Sequence, residues 1–332
     1  MIGGGPAGLA AAIAARRQGF SVTLADAATP PIDKACGEGL MPDGVAALRK
    51  LGVELSDTEA HTFRGIRFLE AQRAFQAEFA AGKALGVRRT VLHSRLVAAA
   101  EASGVRMLWG TPVASLDQAP RARWIVGADG FHSRVRRWAG IAAPLVRVRY
   151  GFRIHYRVAP WTDFMELYWG PGSQIYVTPI GPQEICVALI SRHPHLRVEQ
   201  ALAQYPRLSA RLAGAPHASP ERGAVTASYG LPRVWQDRTA LIGDASGAVD
   251  AITGEGLCLA FHQAAALAEA LASGDLGRYQ DAHRRLARRP WLMSNLLLAM
   301  DRRDWLRRPA FRVMASQPRI FQSLLSFHLC AA

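Results

Sequence analysis

The sequence is poor in lysine. Lys34, Lys50 and Lys83 are its three lysines, so arginine supplies thirty-seven of forty basic residues, set against twenty-six acids for a formal charge of +14. Such a balance attracts anions in general. No basic block is interleaved with aromatics, which argues against a nucleic-acid module, and nucleic acid is not expected as a partner. Cysteine is scarce as well. Cys36, Cys186, Cys258 and Cys330 are far apart and form no C-x-x-C pair. That pattern argues against a disulfide framework, a zinc site and a dithiol redox motif, so no metal is expected and the cytoplasm is the default location. No run reaches the ~20 apolar residues of a membrane span, residues 292–300 being the nearest approach. The apolar start, residues 1–15, lacks the basic leader of a signal peptide. No fixed-period repeat or low-complexity tract is present.

What remains is a chain able to fold around a large core. Half of its 332 residues are hydrophobic, which excludes a disordered chain. The length suits one large unit or two closely joined domains.

The first motif is at the start. Gly3, Gly5 and Gly8 fit G-x-G-x-x-G, with Gly4, Pro6 and Ala7 between them. Gly3 would make the strand-to-helix turn, Gly5 would let a pyrophosphate approach the backbone, and Gly8 would let helix and strand pack closely. Helix-forming residues follow to Arg17, with Gly19 as the stop, and a helix N-terminus placed there favours a phosphate. A β-rich run, residues 20–26, then ends in Asp26, about 20 residues after the glycines, where a carboxylate can take ribose hydroxyls. A dinucleotide is therefore expected. Only Met1 and Ile2 precede Gly3 where a hydrophobic strand of several residues belongs, so the first strand reads as truncated and the central sheet as weakened.

Two further segments repeat the strand–glycine pattern. Residues 124–136 read W-I-V-G-A-D-G-F-H-S-R-V-R and contain Asp129 and Gly130. Residues 239–247 read T-A-L-I-G-D-A-S-G, with Gly243 and Asp244, and Gly254-Glu255-Gly256-Leu257 then opens a helix over residues 258–272. Small residues there let backbone amides face a ligand.

Together the three segments resemble the flavoprotein superfamily of class A aromatic hydroxylases, geranylgeranyl reductases and flavin-dependent halogenases. The resemblance implies FAD as cofactor, with NADPH or NADH as electron donor. It implies that Asp244 lies near the ribitol and the amides of Gly256 and Leu257 near the flavin ring. Asp129 and Gly130 resemble the segment that serves both FAD and the pyridine nucleotide, and Arg89 resembles the superfamily's FAD-contacting arginine. The loop Lys34-Ala35-Cys36-Gly37-Glu38-Gly39 is similar to the Cys-Gly loop of the geranylgeranyl-reductase branch. Cys36 and Glu38 are accordingly the candidate catalytic groups, and Cys36 and Gly37 are also candidate cofactor contacts. Departures exist: Tyr176 to Gly181 keeps one aromatic and the proline of that branch's Y-x-W-x-F-P-K signature, and the halogenase W-x-W-x-I-P motif is absent.

The expected fold class is α/β, a Rossmann-like FAD-binding domain with a parallel central sheet, an inserted mixed-sheet substrate domain and a helical C-terminal tail. Residues 1–60, 85–145 and 225–289 are assigned to the FAD-binding domain, 61–84 and 146–224 to the substrate domain. Strands are expected over 146–158, 165–169, 173–179 and 185–191, with a hairpin over 63–79. The tail, 290–332, reads as helical blocks separated by Pro309 and Pro318. It is expected either to cap the substrate pocket or to present Trp291, Leu292, Leu296, Leu297, Met300, Trp305 and Leu306, ringed by arginines, to an anionic membrane.

Three functions stay open. The first is NAD(P)H-dependent hydroxylation of an apolar aromatic or polyketide-like substrate through a flavin C4a-hydroperoxide. The second is reduction of isoprenoid double bonds. The third is a non-catalytic flavin-binding relative. His132 and His155 have no partner visible in the sequence and read as structural or solvent-facing.

Overall fold

A computed structural model of the protein describes residues 1–118, 121–144 and 148–329. Val146, the start of one expected strand, and Cys330 lie outside the described residues.

The architecture is mixed α/β around a short parallel layer. Thr23–Ala25 pairs in parallel with Arg106–Leu108, and Ile125–Gly127 in parallel with Thr239–Leu241. Ile2 bridges both pairs, facing Ala25 on one side and Gly127 on the other. Four backbone bonds hold this central position: Ile2 N–H to Val126 O, Ala128 N–H to Ile2 O, Ala25 N–H to Met1 O and Gly3 N–H to Ala25 O, all 2.7–2.9 Å. Residues 1–3 thus occupy the middle of the layer, with three residues where the sequence reading wanted several.

The helix Pro6–Arg17 leaves this central position at once. Its residues Leu9 to Ala15 are buried, and its alanines let it pack closely along Gly256–Ser273. Gly256–Ser273 is apolar enough in length and composition to cross a membrane. Its place between Pro6–Arg17 and Leu276–Arg302 accounts for that composition, since a helix apolar over most of its circumference is a core helix.

A seven-stranded sheet forms the second layer. Its order is Arg222–Ala227, Val148–Tyr156, Glu184–Ser191, Ser173–Gly181, Phe164–Gly170, Gly65–Glu70, Arg73–Glu78. All neighbours are antiparallel except Phe164–Gly170 with Gly65–Glu70. Alternate residues separate its two faces. Ile175, Val177, Ile185, Val187 and Leu189 pack under Val198, Leu202 and Leu208. Tyr176, Cys186, Ala188 and Ile190 join the core shared with the parallel layer. Both faces are covered, so Phe164–Gly170 is buried at every position. The expected boundary at 224/225 falls inside the edge strand Arg222–Ala227.

The tail departs from its expected form. Pro290 lies inside the helix Leu276–Arg302 and Pro309 inside Asp304–Ser316. One helical break falls at Gln317, just before Pro318 as expected, and the other at Arg303, whose backbone is extended, rather than at Pro309. A proline inside a helix costs about 3 kcal/mol. Aromatic packing offsets it here: Phe311 and Phe321 sit edge-on to Phe75 at 5.0 and 4.8 Å, and Arg307 donates to Glu70 at 2.6 Å. The tail is therefore pinned to the hairpin Gly65–Glu78, and none of its described residues lines the main cleft, contrary to a cap over the substrate pocket.

The helix Leu276–Arg302 also meets the core at a buried histidine. His283 shares a hydrogen bond of 2.9 Å with the Ser246 hydroxyl. Burial holds it down to about 4 from an ordinary 6.5. Its folded pKa lies below its unfolded one, so the stability it confers is present above pH 6.5 and is lost as pH falls toward 4. The loss is of order 3 kcal/mol. Denaturant midpoints measured between neutral pH and pH 4.5 should fall, and His283→Asn should remove part of the slope. An identical slope in the variant would assign the acid sensitivity elsewhere.

Candidate active site

The two layers enclose a cleft of about 770 Å³. One wall comes from the parallel layer and its loops: Gly3, Gly5, Pro6, Ala7, Asp26, Arg89, Asp129, Gly130, Gly243, Asp244, Gly254, Gly256 and Leu257 all line it. Cys36, Gly37 and Glu38 line it from the connecting loop. The opposite wall comes from the seven-stranded sheet and, apart from Arg153, is largely apolar, with Met165, Tyr176, Ala188 and Ile190 among its residues. Of the candidate cofactor and catalytic residues, Gly8 alone lies off the cleft. A Cβ on Gly8 would stand 1.9 Å from Gly3 O, so its place is the contact between helix and turn.

The glycine loop is built for a close-lying ligand. Gly3 has φ +112, and a Cβ there would meet Ala128 O at 2.4 Å. Gly5 is the N-cap of Pro6–Arg17 and has no side chain to satisfy the first amides of the helix. A Cβ on Gly5 would find nothing within 4 Å, and the same holds at Gly37, Gly130 and Gly256. Four glycines thus face open cleft. Asp26 closes the loop from below, its Oδ2 accepting from Gly4 N–H at 2.6 Å and Oδ1 from Ala28 N–H at 2.7 Å. His93 holds it from behind, 2.8 Å from Gly4 O, with Ile32 N–H donating to Nδ1. Nδ1 is then the acceptor and Nε2–H the donor to Gly4 O. Burial, followed by the charge of Arg89, lowers the His93 pKa and favours that neutral form.

The remaining acids differ in what they leave free. Asp129 is spent on its own helix start, accepting from the Ser133 hydroxyl and from the amides of Arg134 and Val135. Asp244 is half exposed and faces Lys34 at 3.3 Å. Arg89 gives its backbone N–H to Glu38 Oε1 at 2.9 Å, while its buried Nε has no partner among the described residues. Glu255, buried next to the cleft floor, is held well above the usual carboxylate range by burial and by Asp43.

Glu38 and His155 form the most constrained group. Glu38 is buried with φ +59, a left-handed conformation costing a non-glycine residue roughly 1–2 kcal/mol. Three contacts hold it there: Arg89 N–H on Oε1, His155 Nε2 at 2.6 Å from Oε2, and Arg153 Nε at 3.9 Å from Oε1. Arg153 Nη1 stands 3.2 Å from His155 Nδ1 and can only donate, so Nδ1 accepts and Nε2–H points at Glu38. The Ser219 hydroxyl also reaches Nδ1, at 2.7 Å, and is half-buried toward the outside. His155 is therefore neither isolated nor solvent-facing. Its partner is 117 residues away in sequence, and no local pattern announces it.

Cys186 lies beside this pair, and the ligand atoms of Glu38, His155 and Cys186 are within 4.8 Å of one another. Burial and the nearby Glu38 push the Cys186 thiol up, which opposes thiolate formation, and the Arg153 charge next to it opposes a cation.

The description FAD binding domain matches residues 1–121 and 117–282 of the chain. The chain belongs to the FAD binding domain family. It is an FAD-dependent oxidoreductase, so the reading as a non-catalytic relative falls away. The menaquinone reductase of Mycobacterium tuberculosis strain H37Rv is 31% identical over 322 residues, covering 84% of this chain and 77% of that protein. Digeranylgeranylglycerophospholipid reductase 2 of Methanopyrus kandleri is 28% identical over 289 residues, covering 77% and 72%. Among solved structures, the flavin-dependent brominase Bmp2 superposes with TM-score 0.83 at 19% identity over 99% of this chain and 92% of that one. A geranylgeranyl bacteriochlorophyll reductase-like protein from Thermoplasma acidophilum gives TM-score 0.79 at 20% identity over 98% of each. These two show the shared fold.

The site fits the family's cofactor. Open space above Gly5, Gly130 and Gly256, uncapped helix amides and the orphan Nε of Arg89 are what an extended, doubly phosphorylated dinucleotide would satisfy.

Proposed function

We propose that the protein reduces a carbon–carbon double bond of an apolar, isoprenoid-like substrate, with NADH or NADPH as the source of electrons. Bound FAD supplies the hydride. The observation that carries this reading is the buried Glu38–His155 pair set against an otherwise apolar wall. Saturating an alkene takes one hydride and one proton. The pair holds one proton, carried by His155 Nε2 and facing Glu38 Oε2. When that proton passes to Glu38 and on to the substrate carbon, Nδ1 takes the Ser219 hydroxyl proton and the Ser219 oxygen takes one from water, so His155 ends neutral as its other tautomer. Met165, Ala188 and Ile190 exclude water from the reacting carbons and leave the hydrocarbon in apolar contact.

The reductase names of the two relatives support the same reading. Hydroxylation, placed first on the sequence, becomes the second reading. The thinning of the Tyr176–Gly181 signature favours it. The two separate in one assay. The holoprotein, reduced without oxygen and mixed with a polyprenylated quinone, should yield a product that is still heavier by two hydrogens after any quinol has been re-oxidised to quinone, placing them on the side chain. A product formed only with oxygen, and heavier by one oxygen atom, would overturn the reductase reading.

A further inference from the structure

A second cavity, of about 680 Å³, lies away from the cleft. Val148, Arg149, Arg192 and Asp250 line it from the sheet side, and Trp291, Asn295, Leu298, Arg302 and Arg303 from the tail. Its two carboxylates are occupied. Asp250 accepts from Arg149 Nη1 at 2.9 Å, and Asp301 accepts from Gln174 at 2.6 Å and lies 3.3 Å from Arg192. Arg149 is buried, and its Nε has no hydrogen-bond partner among the described residues. Arg302 and Arg303 are exposed at the rim, and among the described residues no carboxylate pairs with either. Four guanidinium groups thus meet two carboxylates, leaving an excess of positive charge around an open space.

The surface next to the rim is apolar where a water-facing helix is ordinarily polar. Trp291 is 46% exposed, Leu292 58%, Leu296 40% and Trp305 72%. Leu292 and Leu296 are one turn apart on Leu276–Arg302, beside the Trp291–Asn295–Arg302 stripe that faces the cavity. Arg285, Arg288, Arg302, Arg303 and Arg308 are exposed around them. Across residues 276–329 there are eleven arginines and three aspartates, of which Asp301 is buried. The packing that pins the tail to the hairpin therefore buries one side of these helices and turns tryptophan, leucine and arginine outward together.

We propose that this face docks on an anionic phospholipid membrane, with Trp291, Leu292, Leu296 and Trp305 entering the interface and a headgroup phosphate seated between Arg302, Arg303 and the cavity mouth. The charge complementarity selects the occupant. Arginine forks bind phosphate oxygens in pairs, and indole rings settle at headgroup depth. A neutral protein partner would leave Arg302 and Arg303 unanswered. The surface is independent of the reaction carried out in the cleft.

The test is co-sedimentation of the full flavin-loaded chain with vesicles of phosphatidylcholine alone and of phosphatidylcholine with phosphatidylglycerol. Binding is expected to the mixed vesicles and to be at least about tenfold weaker to the neutral ones. The double substitution Arg302→Gln/Arg303→Gln should cost about tenfold or more on mixed vesicles. Trp305→Ser/Leu292→Ser should weaken binding to the same vesicles with its charge intact. All variants should keep their bound flavin, which reports the fold. Inorganic phosphate should compete weakly. Equal binding to both vesicle types, wild-type binding by the arginine variant, or full displacement by inorganic phosphate would each overturn membrane docking, the last in favour of a free-phosphate site.

Discussion

Glu38→Gln is expected to lower turnover of the flavin-loaded enzyme about a hundredfold while the protein stays folded and yellow. Glutamine matches the side chain in shape. Its carbonyl oxygen can still accept from Arg89 N–H, so the loop Cys36–Gly39 keeps its anchor. What it loses is a group that can pass a proton between His155 and the cleft. His155→Gln should give a smaller loss, since Glu38 survives but its refilling through Ser219 does not. Reduction of the bound flavin by the proposed nicotinamide donor, measured alone without oxygen, should be nearly unaffected in both, since the proposed role of the pair is confined to the proton. Unchanged turnover in both variants would remove the pair from the reaction and leave it as a brace for the left-handed residue at 38.

How much of this was legible in the sequence depended on the range of the interaction. The glycine segments were readable because each glycine answers a demand within a few residues: a tight turn at Gly3, a helix against a turn at Gly8. They brought Asp26, Asp129 and Asp244 to one cleft even though these acids are remote from one another in the chain. The strands of the large sheet were legible from runs bounded by Pro171-Gly172 and Gly181-Pro182. The sequence could not foresee that both faces would be covered and that Phe164–Gly170 would be buried throughout. His93 and His155 were missed because their partners, Gly4 and Glu38, are supplied by the fold across 89 and 117 residues. Pro309 of the tail was misread for a related reason, whereas the separation at Pro318 is found. A break at Pro309 is a local expectation, and the ring contacts of Phe311 with Phe75 and Trp169 override it from two other parts of the chain. The apolar face drawn on the tail likewise divides, with Leu297 and Met300 turned into the core and Trp291, Leu292, Leu296 and Trp305 left outside.

Cofactor binding at the first turn is tested most directly by two substitutions in one loop. Gly8→Val pushes a side chain into Gly3 O, 1.9 Å from the new Cβ, and should cost several kcal/mol, losing fold and flavin together. Gly5→Val is different. The residue before Pro6 is already extended, at φ −71 and ψ 175, which a β-branched residue adopts readily, and the added methyls meet no protein atom near the Cβ. They would occupy the space a pyrophosphate needs against the helix amides. The decisive measurement is the flavin content and melting curve of Gly5→Val beside the unaltered protein. A cooperative melt with FAD affinity down by at least about a hundredfold, some 2.7 kcal/mol, is the expected result. A variant that purifies with its full complement of FAD would contradict the placing of the dinucleotide phosphates at this turn.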